Sequence, residues 1–238
     1  MLAEQIEAVC TVYAQATALQ TQDGQGEDTT VHIVSLDEMT GIQALERAAP
    51  TLPVRPGRVE RREFEYVRHG TQTLIGSFDV VTGRVLPPTI GPTRTEADFV
   101  GHVARTIASA PKAPWILLMD QLNTHQSESL VRLIAAHEHY TGDLGVKDQT
   151  GILQSMPSRA AFLTDPTHRI RIVYTPKHCS WLNQIEIWFS ILVRKLLRRA
   201  SFTSTDDLRA RLLAFIDYFN HTMAKPFTWT YTGRPLAA

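Results

Sequence analysis

Cysteine and long hydrophobic runs are scarce in this chain. Only two of its 238 residues are cysteines, Cys10 and Cys179, which is too few for a disulfide framework or a four-cysteine zinc site. We therefore expect both to be reduced thiols. No apolar run approaches the roughly 18 residues that a membrane span needs, and the first residues lack the pattern of a signal peptide. These absences favour a cytoplasmic protein with no membrane partner.

An excess of one charge is also lacking overall, since 24 basic residues balance 24 acidic ones. The two signs are nevertheless separated along the chain. Residues 1–50 carry eight acidic residues and one arginine, whereas residues 168–200 carry seven lysines and arginines and one glutamate. A basic segment of this kind suits contact with phosphate groups. A solvated helix surface is the alternative that composition leaves open.

The order of apolar and polar residues predicts an α/β fold in which a mixed sheet is flanked by helices. Up to residue 88 the predicted elements are a helix over 2–18, a linker over 21–30, a strand that ends at Asp37, and an antiparallel meander over 62–88 with turns at His69-Gly70 and Thr82-Gly83. The later elements are a helix over Thr95–Ala110, a buried strand over Trp115–Met119, a helix from Ser127, a strand over Arg169–Tyr174, a long helix capped by Ser180 and running through Leu197, and a helix over Thr205–Phe219.

Residues 141–167 lack periodicity, so they are predicted to be an inserted loop with a short helix around residues 159–163. The chain accordingly divides into an N-terminal helix and linker (1–29), a central α/β domain (30–200), and a C-terminal helix and tail (201–238).

Three acidic residues are predicted to meet at one edge of the sheet. Asp37 and Asp120 each follow an apolar strand, and the carboxyl ends of parallel neighbours, about 4.8 Å apart, share the edge where ligands bind. Glu186 lies on an apolar helix stripe with Leu182 and Phe189, where a carboxylate is costly unless it is paired or bound to a metal. A turn or cap role for each aspartate, and an ion pair for the glutamate, are the alternatives.

Clustered carboxylates repel one another, and a divalent cation relieves that repulsion. Oxygen ligands select Mg²⁺ or Mn²⁺, and two such ions about 3.5–4 Å apart stabilise both oxygens of a displacement at phosphorus. The three acids therefore predict phosphodiester chemistry. Because of the repulsion, we expect Asp120→Asn to abolish catalysis while leaving thermal stability unchanged or raised.

One continuous segment carries a resemblance to a known family. Residues 174–190, YTPKHCSWLNQIEIWFS, resemble the third-acid region of bacterial insertion-sequence transposases of the mariner superfamily. Leu36-Asp37-Glu38 resembles the first-acid strand of that family, and Met119 to His125 resembles its second-acid strand. Met223 to Thr230 resembles its C-terminal tail. Gln121 departs from the asparagine that often follows the second acid.

The resemblance implies a ribonuclease H-like fold with a mixed five-stranded sheet, and a DDE transposase that cleaves element ends and transfers strands into target DNA. Asp37, Asp120 and Glu186 would be its catalytic residues and would bind two Mg²⁺ or Mn²⁺ ions. The residues expected to contact DNA are His125, which matches a motif position, and the basic residues Lys177, Arg194, Lys195, Arg198 and Arg199. A homodimer is implied because two element ends must be held together.

Two other functions stay open at this stage. One is a metal-dependent nuclease without strand transfer, and the other is a non-catalytic DNA-binding regulatory fragment. The family reads its terminal repeats with N-terminal helix-turn-helix domains, whereas only residues 1–36 precede Asp37. This indicates either a catalytic fragment or a chain that works with a separately encoded DNA-binding part.

Overall fold

The computed structural model describes residues 2–20, 30–61 and 63–231. Within them lie six α-helices: α1 (Leu2–Leu19), α2 (Glu96–Ala108), α3 (Glu128–His137), α4 (Met156–Leu163), α5 (Ile185–Leu192) and α6 (Thr205–Thr222). The same residues form six strands: β1 (His32–Arg47), β2 (Tyr66–Asp79), β3 (Arg84–Val85), β4 (Thr89–Gly91), β5 (Trp115–Met119) and β6 (Ile170–Tyr174). None of these helices is long and apolar enough to cross a membrane. Most of the predicted linker and the last residues of the predicted tail lie outside the described residues.

The six strands form one mixed sheet, with one strand more than the five predicted. The strand order is β3-β2-β1-β5-β6. The short strand β4 is not part of this order and pairs with β2. β1, β5 and β6 run parallel to one another, whereas β2 is antiparallel to β1, β3 and β4. The antiparallel part therefore comes from the predicted meander, and the parallel part from the strands that alternate with helices.

Helices cover both faces of the sheet. Alternate side chains of each strand pack into two separate hydrophobic cores, one on each face. Ile116 and Leu118 point into a core shared with α1, α5 and α6. Trp115, Leu117 and Met119 point into a second core shared with α2, α3 and α4. All of β5 is buried, which explains its unbroken apolar sequence.

Several helices begin where capping residues predict. The Thr95 hydroxyl accepts the backbone N–H of Asp98 at the start of α2, and the Ser127 hydroxyl caps α3 in the same way. Residues 141–167 contain the short helix α4, as predicted. Leu153 and Leu163 of this segment are buried in the second core, so the segment contributes to packing.

The predicted ends of two elements in the antiparallel part are wrong. β1 does not stop at Asp37 but continues to Arg47, because its antiparallel partner β2 extends beyond the point where β5 ends. His69-Gly70 is not a turn. These two residues lie opposite the single residue Ala44 and form a bulge within β2.

The long helix predicted from Ser180 is also wrong. Ser180–Leu182 form a short 3₁₀ turn, α5 begins at Ile185, and Val193–Leu197 are π-helical. The interruption falls at Asn183, whose backbone is extended and whose buried side chain bonds to β1. A hydrogen bond across the structure therefore overrides the local helical pattern.

α5 approaches the sheet closely at Gly76, the β2 residue that pairs with Asp37. A Cβ atom added to Gly76 would lie 2.9 Å from Cδ1 of Ile185. The absence of a side chain on Gly76 thus lets the first turn of α5 pack directly against the sheet.

We expect Gly76→Val to destabilise the protein by about 1–3 kcal/mol, since overpacking a filled core costs that much. Urea unfolding measures the change. Gly101→Ala is the control, because its added Cβ would lie 3.6 Å from the nearest atom in α2 and should raise stability by up to about 1 kcal/mol. An unchanged urea midpoint for Gly76→Val would contradict the close packing.

Candidate active site

Asp37 and Asp120 lie side by side because β1 and β5 are in parallel register. Ser35 pairs with Leu118 in this ladder, so continuing the register by two residues places Asp120 beside Asp37. Leu118 points into the core that contains α5, and side chains two residues apart on a strand share a face. Both aspartates therefore face α5.

The surroundings of Asp37 raise its pKa to about 7. Burial is the largest cause, and the nearby charges of Asp120 and Glu186 add to it. In the opposite direction, the backbone N–H of Glu38 donates to Oδ1 of Asp37 at 2.8 Å and lowers the pKa. Nδ2 of Asn183 donates to Oδ2 of Asp37 at 3.0 Å. Asp37 is thus an acid that holds its proton near neutral pH beside two other acids.

Glu186 lies in the first turn of α5. Burial and the charge of Asp120 raise its pKa, and a hydrogen bond with Asp37 offsets part of this rise. The structure therefore brings the three predicted acids, Asp37, Asp120 and Glu186, close enough to influence one another's protonation. Their role as metal ligands stays a prediction.

A buried polar cluster holds the start of α5 against β1. Nδ2 of Asn183 also donates to the carbonyl of Leu36 at 2.9 Å. The Ser35 hydroxyl donates to Oδ1 of Asn183 and accepts the backbone N–H of Ile185 at 3.0 Å. Ser35 and Asn183 are fully buried. Since buried polar groups need partners, these bonds determine where α5, and with it Glu186, sits on the sheet.

Helix α1 supports the same turn. The hydroxyl of Tyr13 donates to the carbonyl of Leu182 at 2.5 Å and accepts the backbone N–H of Gln184 at 3.3 Å. Tyr13 is fully buried, and burial raises its pKa, so it stays a neutral donor. The N-terminal helix is thereby linked to the position of the third acid.

Asp120 has different surroundings from Asp37. Its Oδ1 accepts from Nδ1 of His125 at 2.8 Å and from the backbone N–H of Leu122 at 2.9 Å. Burial raises the pKa of Asp120, but the bond to His125 and its charge outweigh burial and lower that pKa overall. Burial lowers the pKa of His125, but Asp120 and Glu38 outweigh it and raise that pKa to about 9.

The expected effect of Asp120→Asn is therefore revised. Repulsion among the acids helps to raise the pKa of Asp37 and of Glu186. The pKa of Asp120 is lowered instead, because its charged form is stabilised by His125. We now expect Asp120→Asn to lower thermal stability, because it removes one of the two carboxylates that pair with the buried His125 and leaves Glu38 as its charged partner.

The prediction that His125 contacts DNA is wrong, because its side chain is fully buried. The other predicted contacts, Lys177, Arg194, Lys195, Arg198 and Arg199, are exposed. Lys177 lines a groove with Asp120, and Arg194 lines a groove with Glu186. The exposed Arg94 also lies near enough to Asp120 to lower the pKa of that carboxyl. No local sequence pattern indicates this role for Arg94.

The three carboxylates fit a divalent cation in charge and in donor type. Such a cation would relieve the repulsion that raises the pKa of Asp37 and of Glu186. Within the described ranges, no group of three or more His, Cys, Asp or Glu side chains is arranged to hold a metal ion. Mg²⁺ keeps several waters and is commonly held by one or two carboxylates and substrate phosphates, so an open set of acids suits an ion shared with a substrate.

Four supporting residues were not identified from the sequence: Tyr13, Ser35, Glu38 and Asn183. Ser35 had a usable signal, since it is a polar residue inside the apolar run that leads to Asp37. Asn183 lies within the segment that resembles transposases, but nothing in its spacing indicates a bond to another strand. Tyr13 has the spacing of an ordinary core residue.

We expect Glu186→Gln to stabilise the metal-free protein at pH 8, because it removes one like charge beside Asp37. The gain should be about 2–4 °C in Tm, the shift that about 1 kcal/mol produces in a chain of this size. A raised carboxyl pKa means that the folded state binds the proton more tightly, so wild-type stability falls as the pH rises from about 4 to about 7. The advantage of the variant should therefore vanish near pH 4, which circular dichroism melting at both pH values measures.

Glu65→Gln is the matched control for this experiment, since Glu65 is exposed and its substitution changes the net charge equally. An equal gain in Glu65→Gln, or a gain in Glu186→Gln that persists at pH 4, would show that repulsion at the site is not the cause.

Comparison with solved structures agrees with this fold. The Mos1 transposase paired-end complex with the left transposon end has a TM-score of 0.54 at 13% identity, covering 96% of this chain and 57% of that one. The Mos1 mariner paired-end complex with Mn has a TM-score of 0.52 at 13% identity, with coverages of 95% and 57%. A pre-cleavage Mos1 transpososome has a TM-score of 0.50 at 11% identity, with coverages of 96% and 58%. The likeness confirms the ribonuclease H-like fold that the resemblance implied.

The chain spans less than two thirds of the length of these Mos1 chains. Among curated proteins, none matches its sequence. A protein family described as DDE superfamily endonuclease matches residues 32–209. That match covers the sheet and all three acids, and the chain therefore belongs to the DDE superfamily endonucleases.

Proposed function

We propose that this chain is the catalytic domain of a DNA transposase from a bacterial insertion sequence. It would cleave the ends of the element and join the freed 3′ hydroxyls to target DNA. The observation that carries the proposal is the convergence of Asp37, Asp120 and Glu186 on one face of the sheet in a DDE endonuclease. The insertion-sequence origin is supported by the resemblance of residues 174–190 to those transposases. The similar Mos1 structures are transposase complexes, one of them with a transposon end.

Asp37, Asp120 and Glu186 would hold two Mg²⁺ or Mn²⁺ ions. Bound there, the ions would supply charge stabilisation to the attacking and leaving oxygens of the phosphodiester. One similar Mos1 complex was solved with Mn, which supports the use of a divalent cation.

The chain's own residues orient the acids before substrate arrives. Asn183 and the backbone N–H of Glu38 each donate to one oxygen of Asp37. His125 and the backbone of Leu122 both donate to Oδ1 of Asp120, which leaves Oδ2 for other partners. Acids that are held in place in this way do not have to be reoriented during the reaction.

The DNA backbone would run along the basic side chains that flank the acids. Lys177 and Arg94 lie beside Asp120. Arg194 lies beside Glu186, and the exposed residues Lys195, Arg198 and Arg199 continue from it along the chain. Phosphate groups that approach the acids would meet these cations.

A homodimer would hold two element ends, and a hairpin arm supplies a surface for it. Residues 51–61 form an exposed hairpin between β1 and β2, closed by bridges that pair Leu52 with Arg61 and Arg55 with Arg58. Val59 is 78% exposed in this arm. Large apolar side chains exposed on such a hairpin favour burial against another chain.

Two further parts of the proposal concern the setting of the protein. A separately encoded helix-turn-helix part would read the terminal repeats. The chain would act in the cytoplasm at the nucleoid, where its DNA substrates lie.

Strand transfer tests the proposed function directly. The protein is incubated with Mg²⁺, supercoiled target DNA, and duplexes that carry the terminal sequences flanking its gene and end in a free 3′ hydroxyl. We expect joined products from the wild type and none from Asp37→Asn or Glu186→Gln. Calorimetry should show Mg²⁺ binding to the wild type that weakens at least about tenfold in Glu186→Gln, since a ligand is lost.

Each other outcome of this assay selects a different function. Cleavage without joined product would favour the metal-dependent nuclease. DNA binding with neither cleavage nor joining, and no Mg²⁺ binding, would favour the regulatory fragment.

The basic segment gives a second test. The double variant Arg198→Gln/Arg199→Gln should weaken binding to all DNA sequences and should reduce the slope of log affinity against log salt by about 2. Arg132→Gln is the control, because Arg132 lies on α3, on the other face of the sheet, and is similarly exposed. Equal salt slopes for the double variant and the wild type would show that these two arginines do not contact DNA phosphates.

A further inference from the structure

A buried carboxylate lies on the opposite side of β1 from the three acids. The Glu38 side chain is only 2% exposed. Its neighbour Asp37 faces α5, so Glu38 faces α2 and α3, where the second core lies. A carboxylate buried in this way is costly unless a charged partner compensates for it.

His125 is that partner. Its Nε2 lies 3.3 Å from the Glu38 carboxylate, and its Nδ1 lies 2.8 Å from Oδ1 of Asp120. The imidazole ring thus joins a residue on β1 to the acid that follows β5. Both ring nitrogens are used, so the two carboxylates hold the ring from both sides.

The ring has little freedom to move. Phe99 of α2 packs against it with ring centroids 4.3 Å apart. The hydroxyl of Tyr174 on β6 donates to the backbone carbonyl of His125 at 2.7 Å. Helix α2 and strands β1 and β6 therefore all contribute to the position of this one imidazole.

Asp120 needs such support more than Asp37 does. Asp37 lies inside β1 and is held by the ladder with β2, whereas Asp120 lies one residue beyond the end of β5. The bonds to its Oδ1 come from His125 and from the backbone of Leu122. The direction of Asp120 is therefore determined largely through His125.

We infer that Glu38 and His125 are positioning residues that orient Asp120 for metal binding through a carboxylate–imidazole–carboxylate chain. Glu38 holds the imidazole, and the imidazole holds Oδ1 of Asp120 so that Oδ2 is presented to the cation. The inference rests on the proposed function. Because His125 is fully buried, it acts through Asp120 and does not contact DNA.

The distinguishing measurement is the Mg²⁺ affinity of the free protein, obtained by calorimetry on folded samples. We expect Glu38→Ala to weaken this affinity by about 10–100-fold, the usual effect of removing an outer partner of a metal ligand. Glu38→Gln keeps an oxygen that can accept from His125 and should restore part of the affinity. In the cleavage assay, the same substitutions should lower kcat and leave the KM for DNA unchanged.

A double-variant cycle tests whether the two residues act through one chain. If they do, Glu38→Ala/His125→Asn should weaken Mg²⁺ binding no more than His125→Asn alone, because the effects are not additive for residues in one network. Asn is chosen at position 125 because its amide can still donate toward Asp120. Additive losses in the double variant would overturn the inference.

A matched control exists farther along β1. His69 of β2 and Glu46 of β1 form a pair at 2.7 Å that is partly exposed, far along β1 from Asp37. Glu46→Gln should leave Mg²⁺ affinity and kcat unchanged.

The remaining outcomes separate the inference from its premise. A lower Tm for Glu38→Ala and Glu38→Gln, with Mg²⁺ affinity and kcat within twofold of the wild type, would show a purely structural role and overturn the inference. Wild-type protein that binds Mg²⁺ without cleaving DNA would contradict the proposed function, while the affinities of the variants would still decide the inference.

Discussion

The candidate site depends on the parallel register between β1 and β5. Because Ser35 pairs with Leu118, Asp37 and Asp120 become neighbours whose side chains share a face. A slip of one residue would turn one acid to the opposite face. The register is stabilised by the buried apolar side chains of both strands, so hydrophobic packing and the geometry of the acids follow from one interaction.

The third acid needs a different kind of attachment, because a helix that packs through apolar side chains alone can shift on a sheet. Here, buried hydrogen bonds remove that freedom. Asn183 and Ser35 join the start of α5 to β1, and Tyr13 of α1 holds the turn before it. Displacing α5 would leave these polar groups buried without partners. Helix α1 therefore helps to place Glu186, although it lies far from it in the chain.

The acids divide into two electrostatic roles. Asp120 is paired with His125, which lowers its pKa, whereas the pKa values of Asp37 and Glu186 are raised, so that both resist ionisation. The metal-free site therefore carries less negative charge than three free carboxylates would. Asp37 and Glu186 would have to lose their protons to hold a divalent cation, so metal binding should be coupled to proton loss and to pH.

The sequence by itself determined the elements whose signals are local. These are the buried strand β5, the caps at Thr95 and Ser127, and the acids of the transposase-like segments. Tertiary structure alone decided the length of β1 beyond Asp37, the break in the helix at Asn183, and the burial of His125. Each of these depends on a partner far along the chain: β2 extends the ladder of β1, β1 takes the Asn183 amide, and Glu38 holds the imidazole. Local patterns carry no signal for such partners, because the hydrogen bonds form only when distant segments meet.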